Sequence, residues 1–229
     1  MSTQINGISS MATRQVLAEL VERFQQKTGQ SVRIESVGGV DAAKRVQAGE
    51  AFDVVILASD AIDKLMASGH VQPDSKVDLV RSGVAVAVRA GAPKPDISSE
   101  DAVRTAVLAA RNISYSTGPS GVALARLFER WGIAEQIKDR IVTSPPGIPV
   151  GSLVAKGEVE LGFQQLSELI NLDGITVLGP LPPAVQIITT FSAGVCAGSQ
   201  QGDAVRAMLA DMNSPDAADA KRRQGMDPA

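Results

Sequence analysis

The sequence predicts an α/β protein of two units, each with a mixed, mostly parallel sheet flanked by helices. Three observations predict it. Strand-like runs alternate with helix-period segments along the chain. "FDVVIL" (52–57) is a continuous apolar run, as a central strand buried on both faces requires. The connections are short Ser/Gly turns, and no long flexible linker separates one half from the other.

Taken in order, "QINGI" (4–8) is a short strand closed by Ser9-Ser10. Leu17, Leu20, Val21 and Phe24 then recur at i, i+3, i+4 and i+7, one face of a helix that stops at Gly29. "SVRIESV" (31–37) alternates like a strand. Gly38-Gly39-Val40-Asp41 leads into a helix over "AAKRVQAGE", with Asp41 or a neighbour as its cap. After "FDVVIL", Ser59-Asp60 starts a helix with Ile62, Leu65 and Met66 inward and Gly69 at its end.

Further on, "SGVAVAVRAG" (82–91) is a strand, and Ser98-Ser99-Glu100 caps a helix. "ISYS" (113–116) is the strand before "TGPSG", and Leu124, Leu127, Phe128 and Trp131 mark the helix after it. "VTSPPGIPVGSLVAKGEVE" gives a Pro/Gly turn and a short helix. "ELGFQQL" is strand-like, with a helix beginning at 167–170, and "ITVLGPLPP" is a strand with a proline exit. A long strand from Val185 and one or two closing helices finish the chain. Crossings between units are expected near 81–86 and 186–191. They give a first lobe of 1–82 plus 190–229 and a second of 83–189. No repeat of about 20–50 residues is present.

Composition narrows the function. The chain has 229 residues, 44% hydrophobic and 21% charged, enough for a real core. Aromatics are 3% and the net charge is −3, which argues against a nucleic-acid surface. With one histidine and one cysteine, little is left for a zinc or iron site, and neither metal nor cofactor is expected. No run of about 18 apolar residues is available to span a membrane. "MSTQINGISSMATRQ" lacks a basic start followed by an apolar run. The chain as given therefore reads as cytoplasmic, or as periplasmic if it is a processed mature form.

One feature recurs. Strand-to-helix turns rich in Ser and Gly stand at Ser9-Ser10, Gly38-Gly39, Ala58-Ser59, Gly118-Pro119-Ser120-Gly121 and Gly147-Ile148-Pro149-Val150. Any one of them reads first as ordinary capping. On parallel strands, however, several would share one sheet edge. A helix N-terminus carries about half a positive charge and unpaired N–H donors, worth roughly 0.3–1 kcal/mol per exposed anion contact. Together they point to a small anion.

Other residues carry duller readings. His70, the only histidine, follows a helix stop and reads as a helix-end residue. Asp41 reads as a cap before it reads as a base. Tyr115 either joins the core or faces a ligand. Of Gln164 and Gln165, alternation turns one to the cleft and one away. Arg33 and Arg81 could neutralise a carboxylate but read as solvated, and Cys196 as a small core residue. "DAKRRQ" is a solvated helical end. A G-x-S-x-G elbow is missing, and "STGPSGVA" lacks the lysine of a P-loop.

"GISSMATRQVLAELVERFQQKTGQSVRIES", "AKRVQAGEAFDVVILASDAIDKLMASGHV", "STGPSGVALARLFERWGI" and "VAKGEVELGF" carry a resemblance over nearly the whole chain. They resemble the molybdate-binding-protein-like family of the type II periplasmic-binding-protein fold. The resemblance implies a two-lobed clamp that closes on a small oxyanion through hydroxyls and backbone N–H groups. Ser10 matches the first-loop serine. The resemblance places the third-loop donors within Gly118 to Gly121 and the fourth within Gly147 to Val150. Two positions depart from the pattern. The second loop is Gly38-Gly39-Val40-Asp41 instead of serine-rich, which leaves room for a larger ligand. Gln164-Gln165 stand where a tyrosine is usual, and offer amide donors and acceptors. The chain is also similar to a branch of this fold that includes aconitate isomerases, whose implied ligands are small polycarboxylates.

The expected ligand-binding residues are thus Ser9, Ser10, Gly38, Gly39, Tyr115, Gly118, Ser120, Gly121, Pro149, Val150, Gln164 and Gln165. The expected function is small-anion binding, of an organic carboxylate or an oxyanion. The alternative is isomerisation of a small polycarboxylate such as aconitate, with no catalytic residue assigned. The expected partner is the small anion and, if the chain is secreted, an ABC transporter permease.

Overall fold

The computed structural model describes residues 4–144 and 147–229. Pro145 and Pro146 of the expected Pro/Gly turn lie outside the described residues, as do residues 1–3. The fold is mixed α/β and divides into two compact units, Met1–Ser82 with Thr190–Ala229, and Gly83–Thr189.

The first unit opens with β1 (Ile5–Ser10), α1 (Arg14–Thr28), β2 (Val32–Val37), α2 (Gly39–Gln47), β3 (Val54–Ala58), α3 (Ser59–Ala67) and the first half of β4 (Val77–Arg89). β1 pairs in parallel with β2 on one side and β3 on the other. α1 ends where the sequence says it should. Gly29 takes the left-handed conformation at φ 72°, and its N–H returns to the Gln25 carbonyl at 2.8 Å.

Two expected boundaries are corrected here. Ser9 and Ser10 do not close β1 but belong to it, since the ladder with β2 runs on to Ser10↔Val37. A short 3₁₀ turn over Met11–Thr13 then precedes α1. Asp41 is not the cap of α2. Gly38 already has the non-helical backbone a cap needs, and Asp41 falls in the first helical turn.

The continuous apolar run of β3 is explained by burial on both faces. Val54 and Ile56 pack into a cluster with Leu17, Leu20 and Phe24 of α1. Val55 and Leu57 pack into another with Ala42 and Val46 of α2 and Ile62 and Leu65 of α3. Each such fully buried Val, Leu or Ile contributes roughly 1.5–3 kcal/mol of transfer free energy.

The second unit takes the rest of β4, then α4 (Glu100–Ala109), β5 (Ile113–Tyr115), α5 (Pro119–Arg130), α6 (Ala134–Ile137), α7 (Val150–Lys156), β6 (Leu161–Gln165), α8 (Leu166–Leu169), β7 (Ile175–Pro180) and the start of β8 (Ile188–Val195). β4 lies between β6 and β7, antiparallel to both, and β5 runs parallel to β6. Phe128 of α5 fills the centre of one face, edge-on to Phe163 of β6 at 6.2 Å between ring centroids.

Both long strands begin elsewhere than expected. β4 starts at Val77 instead of Ser82, because Leu79 and Val80 are buried and Val80 and Arg81 pair with a C-terminal strand. β8 starts at Ile188 instead of Val185, because a 3₁₀ turn over Pro183–Val185 follows Pro182. Proline has no N–H to give a ladder.

The chain then completes the first unit with β8, α9 (Gly202–Met212), α10 (Ala218–Arg223) and β9 (Asp227–Pro228). β8 pairs antiparallel with β3, and β9 pairs with the first half of β4. Ser214-Pro215 separates the two closing helices. Each sheet is therefore part parallel and part antiparallel. In each unit the carboxyl ends of the parallel strands share an edge with the helix starts that follow them. In an open α/β sheet this is the edge on which to look for a ligand.

Candidate functional site

In the first unit, β2, β1 and β3 end side by side and feed α2, the 3₁₀ turn before α1, and α3. Ser10 caps the 3₁₀ turn, its Oγ accepting from the Ala12 N–H at 3.1 Å. Thr13 donates its hydroxyl to the Ser10 carbonyl at 3.0 Å, which fixes the turn. Gly39 lies next to Ser10: a Cβ built on it would stand 3.8 Å from the Ser10 Cβ and 3.9 Å from Leu57. The first and second loops thus meet at Ser10 and Gly39.

Ser9 points to the other face. It is fully buried, and its Oγ is 2.8 Å from the Ser36 Oγ across the β1–β2 ladder. Ser36 was missed by the sequence reading, and its signal was its place at the end of "RIES" opposite Ser9. Asp41 is exposed, and its Oδ2 lies 3.4 Å from the Cβ position of Gly38, so a carboxylate already sits at the start of α2. His70 follows α3 at the opposite end of that helix, with Nδ1 2.9 Å from the Ser68 hydroxyl. Arg33 pairs with Asn6, at the far end of β2 from Ser36, and Arg81 donates to the Pro228 carbonyl at 3.1 Å. Neither arginine joins the serine edge.

In the second unit, β5 and β6 end together. Tyr115 and Phe163 are register partners, so Ser116, just past the end of β5, and Gln164 of β6 follow them at the same edge. Gly118 caps α5, with Pro119 in its first turn. The Ser116 and Ser120 hydroxyls are 3.1 Å apart, and Ser120 and Gly121 are buried. Tyr115 packs against the core of this unit. Its ring packs edge-on to Phe128 at 5.9 Å, and burial, with the Glu129 charge behind it, raises the phenol above its usual range. Pro149 caps α7 and Val150 is buried beneath it.

The two glutamines differ. Gln164 is committed at both ends. Its Oε1 accepts from the Gly151 N–H at 3.2 Å, inside the first turn of α7, and its Nε2 donates to Glu168 Oε1 at 2.9 Å. Gln165 donates to the Thr189 hydroxyl at 2.9 Å, while its buried Oε1 has no partner. A buried amide oxygen without a partner is costly in a finished core and is one mark of a ligand site.

Glu168 and Thr189 were not found from sequence. Glu168 reads there only as an acidic residue in a short helix. Here it keeps a partly exposed edge, yet burial pushes its carboxyl up to about 7, with the Gln164 amide working against the shift. Cys196 is a core residue whose thiol burial and Asp53 push up to about 12. Among the described residues, no group of three or more His, Cys, Asp or Glu could hold a metal ion. No helix among them is long and apolar enough to cross a membrane.

In open α/β sheets the carboxyl ends of parallel strands are the usual place for a ligand. The chain belongs to the bacterial extracellular solute-binding protein family, whose model matches residues 5–227. It is 40% identical over 234 residues to an aconitate isomerase from Pseudomonas sp, covering 99% of this chain and 88% of that protein. The periplasmic molybdate-binding protein of Azotobacter vinelandii superposes with a TM-score of 0.80 at 21% identity, covering 97% of this chain and 98% of that one. The sulfate-binding protein SubI of Mycobacterium tuberculosis H37Rv also reaches 0.80, at 18% identity, covering 99% of this chain and 87% of that one. The fold is that of periplasmic-binding-protein-like structures.

Proposed function

We propose that this protein binds a small polycarboxylate such as aconitate and isomerises it. The full-length relationship to the aconitate isomerase carries this reading. The site supports it. In the second unit the Ser116 and Ser120 hydroxyls and the N–H groups at the start of α5 suit carboxylate oxygens, and the edge of the first unit carries Ser10. Gly39 leaves beside Ser10 the room that a ligand larger than a tetrahedral oxyanion needs.

The chemistry asked of the protein is modest. In aconitate each of three consecutive carbons carries a carboxylate; one end carbon is a methylene, and the double bond joins the central carbon to the other end carbon. Taking a proton from the methylene and returning one to the far alkene carbon moves the double bond along three carbons. The product is aconitate again, with the new double bond free to be cis or trans. No cofactor is required, only anion-binding donors and one group that moves a proton. Incubating the protein with trans-aconitate and following the cis isomer tests this. No cis isomer above the uncatalysed rate would overturn it.

A second reading, binding without turnover, is favoured by the family match itself. In that case the ligand is a small organic acid or oxyanion, the place of action is the periplasm and the partner is an ABC transporter permease. Calorimetric titration against molybdate, sulfate, citrate and the aconitates separates the two. Heat of binding without isomerisation supports the second.

A further inference from the structure

Resting on the isomerase reading, we propose that Glu168 is the group that takes the proton from the bound methylene and returns it to the far carbon of the same allylic unit. Position comes first. Glu168 sits on α8, which follows β6 directly, at the edge where β5 and β6 end. Its carboxyl is oriented by the Gln164 amide at 2.9 Å, and that amide is held in turn by the Gly151 N–H at 3.2 Å. A carboxyl fixed through two successive bonds is positioned, not mobile. The residue is half-buried at that edge and not sealed inside the core.

The neighbouring Gln165 adds an independent mark. It is 3% exposed, and its Oε1 has no partner although its Nε2 is bonded to Thr189. The Thr189 hydroxyl can donate as well as accept, so the amide can also turn its NH₂ toward a carboxylate. Two adjacent amides thus do different work: Gln164 holds the proton-moving group, and Gln165 keeps a polar atom for the guest.

The other candidates are placed elsewhere. His70 is at the opposite end of α3 and bonded to Ser68. Tyr115 is packed on Phe128, and its raised phenol pKa makes ionisation harder. The influences on the Glu168 carboxyl are burial and the Gln164 amide from β6, whose other contact is a backbone N–H of α7; no charged side chain among the described residues enters. A carboxyl near neutrality both accepts and returns a proton at working pH.

The step balances. The Glu168 carboxylate takes the methylene proton, and the C–H electron pair becomes the new double bond. The former π pair receives the proton from the Glu168 carboxyl at the far carbon. Nothing is oxidised or reduced, and the carboxylate is regenerated.

The test uses the whole chain, trans-aconitate and D₂O. The wild type is expected to convert trans- to cis-aconitate with kcat/KM rising with pH through a limb near 7. Glu168→Gln, which keeps shape and hydrogen-bonding, is expected to bind trans-aconitate within about 3-fold of wild type but to isomerise it at least about 100-fold more slowly. It also loses the deuterium that the wild type places in the product methylene in turnovers where the Glu168 proton exchanges with D₂O before its return. Gln164→Leu removes the bond that favours the carboxylate and moves the limb to higher pH, an effect that a merely structural role would not give. A wild type that isomerises without that limb, or a Glu168→Gln variant that isomerises at the wild-type rate, overturns the assignment and leaves the isomerase reading standing. A wild type that does not isomerise overturns both.

Discussion

The carbonyl oxygen of Ser116 lies 1.5 Å from the place where a Cβ on residue 121 would stand. The turn that starts α5 therefore closes only with glycine at 121, although the residue sits in ordinary helical backbone. Gly118, in the same turn, has nothing nearer than 3.9 Å to its Cβ position. Gly121→Ala must push the Ser116 backbone outward, and overpacking of this kind costs roughly 1–3 kcal/mol. It also parts the Ser116 and Ser120 hydroxyls. Urea unfolding should show that loss, and titration with trans-aconitate should show at least about a tenfold loss of affinity. Gly118→Ala is the control and should change both far less.

Glu168 makes stability depend on pH in a definite direction. Its folded pKa of about 7 lies above the ordinary carboxylate value of 4.5. Between those values the folded state keeps a proton that the unfolded chain releases. The contribution to stability is full below 4.5 and is lost as pH rises through 7. The size is roughly 2–4 kcal/mol at about 1.4 kcal/mol per pH unit. Glu168→Gln has no carboxyl to ionise. Its melting temperature should gain on the wild type steadily between pH 5 and 8, and parallel curves for the two proteins would contradict the shift.

Periodicity made most of the fold legible. Leu17, Leu20, Val21 and Phe24 gave α1, and Gly29 gave its end, because both signals are local. The start of α2 was left open between Asp41 and a neighbour, because both Gly and Asp serve as caps. The backbone angles of Gly38, which no composition rule reports, decide it. β9 is two residues long and exists only because Val80 and Arg81 of β4 are there to pair with it. Ser10, Gly39, Ser120 and Gly121 could be named as candidates only because Ser/Gly turns recur at several strand-to-helix junctions, since each one alone reads as a cap. Glu168 could not. Its meaning comes from Gln164, which is near in sequence but reaches it only because α8 follows β6 without a turn, and from burial.

Gly39 tests ligand size. A Cβ there meets Ser10 and Leu57 at 3.8 and 3.9 Å, ordinary contact distances. Gly39→Ala should fold at least as well as the wild type, and by removing glycine's freedom in the unfolded chain it should gain up to about 0.5–1 kcal/mol. The methyl group takes its space from the edge beside Ser10. Binding of trans-aconitate should weaken more than binding of any small oxyanion the protein accepts. Equal effects on both would mean that Gly39 does not set the size of the site.

Lys221 tests how the C-terminal helices are anchored. The residue is 1% exposed, and its Nζ donates to the Leu79 carbonyl at 2.8 Å and to Asn213 Oδ1 at 3.0 Å. It thereby joins α10, β4 and the end of α9. Burial lowers its pKa below the usual lysine range. Lys221→Ala leaves two acceptors unmet and a hole where the stem was, and should cost about 3 kcal/mol. Lys221→Met fills most of the hole and removes the desolvated charge, so its cost should be nearer about 1 kcal/mol. The sign with pH follows from the same burial. A folded pKa below the unfolded one means that the unfolded chain holds the proton longer. Wild-type stability from this group therefore rises as pH climbs from the folded value toward 10.5, and falls on the way down. Lys221→Met lacks that rise. Its deficit against wild type should widen across the alkaline range in urea titrations, whereas a constant deficit would show that the ammonium is no harder to keep charged inside the fold than outside it.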